Sequence, residues 1–311
     1  MRWPLRSKDV TPRAPGSDST EDLFDEAFQK QLEYLALVSR RVFAGRSRAE
    51  RKSRKAGSGV EFADYREYYA GDDYRQVDWN VYGRIDRLML RLHEQEEDLP
   101  VYLLLDCSGS MQFGTPRKLD YGKKLSAALA YVALNHLDRV SIVALGDGVL
   151  ARLPPTRGRN RIFTVFEFLR PLRASGPTRL ASAIGTFVAQ HKRRGVAILI
   201  SDLYDPSGFE EALNRLRYAR FETHVLELVD ESDVAPRLHG DLELVDAETG
   251  DRRQVTVTPG LTARYAAANA AFRARTKAFC AQSRIRLIRL DTRVPPERAM
   301  LELIQRGGIV A

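Results

Sequence analysis

From Leu99 to the C-terminus, unbroken apolar runs of strand length alternate with stretches of helical period, and this alternation limits the fold more than any other property of the sequence. Val101 to Leu105, Val140 to Leu145, Val196 to Ile200, residues 223–229 and Ile285 to Leu290 read as strands. Between them, residues 117–137 place Tyr121, Leu125, Ala128, Leu129 and Val132 on one helical face, and residues 178–192 do the same with Leu180, Ala183, Ile184, Phe187 and Val188. Further helices are expected at 159–170, 207–220, 261–282 and 296–305. Strands without polar alternation are buried on both faces, so the expected class is α/β: an open, mainly parallel sheet with helices on both sides. Leu242 to Val245 and Val255 to Val257 flank Glu248-Thr249-Gly250-Asp251, the signal of an inserted β-hairpin.

The region before this domain has a different character. Residues 1–20, with Pro4, Pro12, Pro15 and Gly16, are expected to be disordered. Residues 21–56 read as a helix followed by a basic segment. Leu23, Ala27, Leu35 and Val38 give the helical period over 21–43, Thr20 with Asp22 offers a start, and 44–56 is a linker or helix extension. Residues 57–98 read as a small β-rich subdomain, since Leu88, Leu90 and Leu92 alternate with Met89, Arg91 and His93. Its aromatic residues Phe62, Tyr65, Tyr68, Tyr69, Tyr74, Trp79 and Tyr82 are expected to form its core. Glu61, Arg66, Glu67, Asp72, Asp73, Asp78 and Arg84 are expected to pair and fix it. Residues 99–311 form the sheet domain.

The net charge of +8 is local: Arg40 to Lys55 holds eight basic residues against Glu50 alone, and the remainder is nearly neutral. That distribution argues against a dedicated nucleic-acid surface, and leaves contact of residues 40–55 with nucleic acid or an anionic surface, including peripheral membrane contact, as the alternative. No apolar run reaches the ~18 residues of a membrane span, and no apolar stretch follows the basic start, so the expectation is a cytoplasmic protein. Cys107 and Cys280 stand in no disulfide or zinc pattern, and the five histidines lack ligand spacing. No Gly-rich phosphate loop is present.

The chemistry concentrates at two strand ends. Asp106 closes the first strand and Asp202 the third, where open α/β sheets bind ligands. Asp106 is followed by Cys107-Ser108-Gly109-Ser110, which sets two hydroxyls beside the carboxylate, and Gly109 lets the loop bend. Carboxylate and hydroxyl oxygens suit Mg²⁺ or Mn²⁺.

Asp106-Cys107-Ser108-Gly109-Ser110 after an apolar strand resembles the Asp-x-Ser-x-Ser signature of von Willebrand factor A-like domains. The resemblance implies a Rossmann-type fold and a metal-ion-dependent adhesion site completed by Thr178, in Ser175-Gly176-Pro177-Thr178, and by Asp202. It implies hydroxyl ligation by Ser108, Ser110 and Thr178, with Asp106 and Asp202 bound directly or through water. Residues 57–62, Tyr65 to Asp73, Val77-Asp78-Trp79 and Arg84 to Leu88 resemble the bacterial family catalogued as domain of unknown function 58. That likeness implies a role beside MoxR-type AAA+ ATPases, as an adaptor or co-chaperone whose ion accepts an acidic residue of the partner.

Two residues also have structural readings. Thr178 stands where a helix N-cap would, and Asp205-Pro206 looks like a cap followed by proline at the first helical position. The enzymatic alternative, a Mg²⁺-dependent phosphohydrolase of haloacid dehalogenase type, wants a second carboxylate two residues after the nucleophile, and position 108 is serine. The expectation is therefore a binding module rather than an enzyme.

Overall fold

The computed structural model describes residues 23–45, 52–57, 61–96, 100–191, 193–236 and 238–305. Residues 1–20, Thr20 and Asp22 of the expected helix start, and Arg46 to Arg51 of the basic segment lie outside them. The chain divides into two compact units, one spanning Met1–Arg40 with Leu99–Val310 and the other Arg41–Asp98.

The first helix, α1 (Glu26–Gly45), starts where the Asp25 carboxylate accepts the Phe28 amide at 2.7 Å. Its buried stripe is Phe24, Phe28, Leu32, Leu35 and Ser39, whereas Ala27 is exposed. Of the expected stripe Leu35 is buried, but Leu23 and Val38 are only half-buried, because the Phe24 ring stacks on Phe166 at 4.6 Å and the Phe28 ring meets it tilted at 6.5 Å, which turns the first turn of the helix. The second unit is an antiparallel sheet of β1 (Lys52–Gly57), β2 (Glu61–Glu67) and β3 (Met89–Glu96), with β3 in the middle. A strand thus stands where a linker or helix extension was expected at the end of the basic segment. Between β2 and β3 lies α2 (Trp79–Ile85), capped by the Asp78 carboxylate on the Asn80 and Val81 amides. Of the aromatic residues expected to form the core here, Tyr69, Tyr74 and Trp79 are 64%, 65% and 62% exposed, while Tyr65 and Tyr68 are half-buried. Among the described side chains of this unit the buried ones are Val77, Asp78 and Leu90. Of the polar residues, Arg66 pairs with Asp72 at 2.8 Å and Glu67 with Arg87 at 3.3 Å, while Asp73 and Asp78 act as caps.

The larger unit alternates strand and helix. In chain order it contains β4 (Val101–Asp106), α3 (Lys118–Asn135), β5 (Val140–Leu145), β6 (Val149–Thr156), α4 (Ile162–Leu169), α5 (Leu180–Gln190) and β7 (Val196–Ser201). It continues with α6 (Glu210–Tyr218), β8 (Glu222–Val229), α7 (Glu231–Val234), β9 (Gly240–Val245), β10 (Arg252–Val257), α8 (Pro259–Gln282), β11 (Arg286–Asp291) and α9 (Pro296–Gln305). The sheet order is β11-β8-β7-β4-β5-β6, all neighbours parallel except β5 and β6. This is a mixed α/β architecture with a mainly parallel sheet flanked by helices. β6 was not expected: Pro154 and Pro155 argue against a strand, but an edge strand tolerates prolines.

The central strands β4, β5 and β7 are buried at every position, because helices cover both faces. On one side Leu104, Val143 and Leu199 pack against Leu180, Ile184 and Phe187 of α5 and Leu213 of α6. On the other, α3 approaches so closely that a Cβ on Gly122 would meet Leu105 Cδ1 at 2.9 Å. Full burial of each such leucine or isoleucine contributes about 1.5–3 kcal/mol, which makes this layer the rigid frame of the strand ends. β9 and β10 form a separate two-stranded hairpin in register from Gly240↔Val257 to Val245↔Arg252.

Candidate metal centre at the strand ends

Asp106 is the last residue of β4 and is wholly buried. One carboxylate oxygen accepts the Ser108 amide at 2.9 Å and the other the Ser201 hydroxyl at 2.6 Å. Burial and the negative charge of Asp202 raise its pKa from the ordinary carboxylate range to about 6. Two neighbouring buried carboxylates repel one another and favour a cation between or beside them.

Ser108 and Ser110 follow on a turn of 3₁₀ helix over Gly109–Gln112. Their hydroxyl oxygens lie 3.2 Å apart, and the Ser110 hydroxyl donates to Asp202 Oδ1 at 3.2 Å. Asp202 follows β7, the strand hydrogen-bonded to β4, and the same Oδ1 accepts the Tyr204 amide at 3.0 Å. Ser108, Ser110 and Asp202 thus converge, as their positions at adjacent strand ends suggest. The next residue, Leu203, is buried with φ of 59°, a left-handed conformation that costs an L-residue about 1–2 kcal/mol. The Ser201 hydroxyl, bonded to both Asp106 and the Leu203 amide, helps to hold it.

The Thr178 loop is tied to the serine loop by backbone bonds. Gly109 N donates to Gly176 O and Ser175 N to Cys107 O, each at 2.9 Å. Gly176 has φ of 72°, where glycine is at ease. Thr178 is buried, but its hydroxyl and its amide both go to the carboxylate of Glu248, the amide at 3.1 Å. The helix-capping role expected of Asp205 is also relocated. α6 begins at Glu210, and the Asp205 carboxylate accepts the Leu180 amide at 2.7 Å, capping α5 from another loop.

Three participants were not foreseen. Lys118, the first residue of α3, is buried and bonds Asp202 Oδ2 at 2.7 Å and Asp233 Oδ2 at 3.1 Å. Burial works against its charge, but the two aspartates outweigh it and hold its pKa above the usual lysine value. A cation in the first turn opposes the helix dipole, and that misplacement is the sequence signal of a tertiary anion partner. Asp233 sits in α7 and Glu248 in the hairpin turn. Cys107 contributes no reactivity: burial and the Asp106 charge push its thiol up to about 12.

The donors are hydroxyls and carboxylates, the set a hard divalent ion takes, and Lys118 occupies the Asp202 oxygen turned away from Ser110. Among the described residues no group of three or more His, Cys, Asp or Glu side chains could hold a metal, so an ion here would depend on the hydroxyls. Among the described residues no helix is long and apolar enough to cross a membrane.

The family model described as "Protein of unknown function DUF58" matches residues 64–275. An uncharacterized protein of Mycobacterium tuberculosis is 29% identical over 265 residues, which cover 84% of this chain and 83% of that protein. An uncharacterized protein of Mycobacterium avium is 34% identical over 130 residues, 40% of this chain and 75% of that one. Among solved structures, the conserved hypothetical protein BatB from Bacteroides thetaiotaomicron aligns with 67% of this chain and 98% of its own, at 17% identity and a TM-score of 0.42. A likeness that loose carries no argument about function.

Proposed function

The chain belongs to the DUF58 family, and we propose that it is a metal-ion-dependent protein-interaction module with a von Willebrand factor A-like site. The observation that carries this reading is the convergence of the Ser108 and Ser110 hydroxyls on Asp202, with Asp106 buried beside them at the end of the neighbouring strand.

In this reading Ser108, Ser110 and Thr178 hold Mg²⁺ or Mn²⁺ through hydroxyls, and Asp106 and Asp202 through carboxylates. The ion supplies an electrophilic position that accepts one more carboxylate oxygen, from a partner protein. Ser201 fixes the Asp106 carboxylate, and Lys118 holds the outer oxygen of Asp202, so the side chains are oriented before an ion arrives. The partner we propose is a MoxR-type AAA+ ATPase, with this chain as adaptor or co-chaperone in the cytoplasm; that choice rests on the family resemblance of residues 57–88. Serine at position 108 leaves a phosphohydrolase without its acid, which favours binding over catalysis.

The test is calorimetric titration of Mg²⁺ and Mn²⁺ into wild type and Asp106→Ala. Binding by wild type and its loss in the variant is the expected result. Failure of wild type to bind either ion at millimolar concentration overturns the metal reading.

A further inference from the structure

Thr178, one of the proposed hydroxyl ligands, is engaged by a carboxylate from the chain itself. Glu248 accepts both the Thr178 amide and its hydroxyl, and the two residues stand 70 positions apart in sequence. The contact is built from both sides. Asp246 accepts the Glu248 amide at 2.8 Å and the Thr249 amide at 3.0 Å, and its own amide bonds Asp251 O, so the turn presents the Glu248 side chain in one direction. Beside it, the carbonyl oxygen of Ala247 lies where a Cβ on Gly109 would meet it at 2.7 Å, so the hairpin tip rests directly on the serine loop. Among the described residues the hairpin joins no larger sheet, yet Leu242 and Leu244 anchor it by burial.

Resting on the reading above, we propose that Glu248 is an intramolecular stand-in for the partner's acidic side chain, and that the β9–β10 hairpin is a strap which an acidic peptide segment of the partner must displace. A glutamate already seated on the Thr178 hydroxyl and amide shows which chemistry that place accepts: a carboxylate taking two donors. A partner carboxylate arriving from solution competes with one that is tethered, so the strap raises the threshold for binding and favours partners that present several acidic residues. The hairpin then does two jobs. It covers Thr178 when no partner is present, so that an ion would then rest on Ser108, Ser110, Asp106 and Asp202, and its release adds the Thr178 hydroxyl.

The test uses the full chain as wild type and Glu248→Ala. Hydrogen exchange reads the strap without any ion: the Thr178 amide and the turn amides 246–251 should exchange at least ten-fold faster in the variant, with β4 unchanged. Equal exchange overturns the strap. Titration of glutarate at millimolar Mg²⁺, followed by NMR, should then show at least ten-fold tighter binding to the variant, and equal affinities overturn the competition. Loss of Mg²⁺ binding in both proteins would strike the metal reading, while the exchange result still decides whether Glu248 closes the site.

Discussion

The strand-end site and the three-stranded unit are both dense in charged and polar residues, and they use them in opposite ways. At the site Asp106, Ser108, Lys118 and Asp202 lie buried in one connected network. In the smaller unit the Arg66–Asp72 and Arg87–Glu67 pairs stand in solvent, and three large rings are more than half exposed. Burial is what separates them. A charge removed from water must be paired and hydrogen-bonded or it costs several kcal/mol, so each site residue is held by its neighbours. An exposed pair gains little and constrains little. Motif density alone therefore identifies neither a core nor a site.

The contrast breaks most visibly at Lys118. Lys118→Met leaves the Asp202 and Asp233 carboxylates buried without their ammonium, and the expected loss is about 3–5 kcal/mol in chemical denaturation at pH 7. A loss below about 1 kcal/mol would mean that the network is not held by this charge, and the distinction between the two regions would fail.

Asp230 gives the next largest effect and adds a pH dependence. Burial alone would raise its pKa, but bonds from the Ser232 hydroxyl and amide, the Thr115 amide and the Thr292 hydroxyl outweigh it and hold the carboxylate below its ordinary value near 3.8. The folded state therefore binds this proton less readily than the unfolded chain. Its contribution is complete above the ordinary value and fades as pH falls through the lower folded-state value. Asp230→Asn should cost about 1–3 kcal/mol at pH 7, and the gap from wild type should close in acid below about 3.8. A gap that stays constant to pH 2 would remove Asp230 from the charged network.

Lys118 and Asp230 also mark where sequence reading stops. The strand-end positions of Asp106 and Asp202 were legible because an apolar run of strand length that ends in a carboxylate sets that carboxylate at the binding edge of a parallel sheet. The hairpin was legible from its turn. The engagement of Thr178 by Glu248 was not, since no local pattern connects residues 70 positions apart. Lys118 reads locally as an ordinary surface residue at a helix start, and only its sign relative to the dipole hints otherwise. Asp205 misleads for the opposite reason: Asp-Pro is a strong local cap signal, but here one carboxylate oxygen only closes a turn on the Ser207 amide, and the helix it caps with the other is α5. Tyr69, Tyr74 and Trp79 of the second unit misled through composition, which records hydrophobicity but not position: they lie on the connection and the short helix between β2 and β3, outside the sheet.

The smallest expected effect is the sharpest check on those exposed rings. Trp79 is 62% exposed, and its ring makes an edge contact with Tyr82 at 6.2 Å. Its position is the first of α2, whose start is fixed by the Asp78 cap rather than by the indole. Trp79→Ser removes little buried area and keeps that cap, so stability should change by less than about 1 kcal/mol. The measurement is denaturation at two protein concentrations ten-fold apart. A small loss at both identifies the ring as a surface group with no partner in the purified protein. A loss above about 2 kcal/mol that grows with concentration would mean the indole is covered by a second copy in solution, and the exposed aromatic face would then be an interface, as constrained as the buried site.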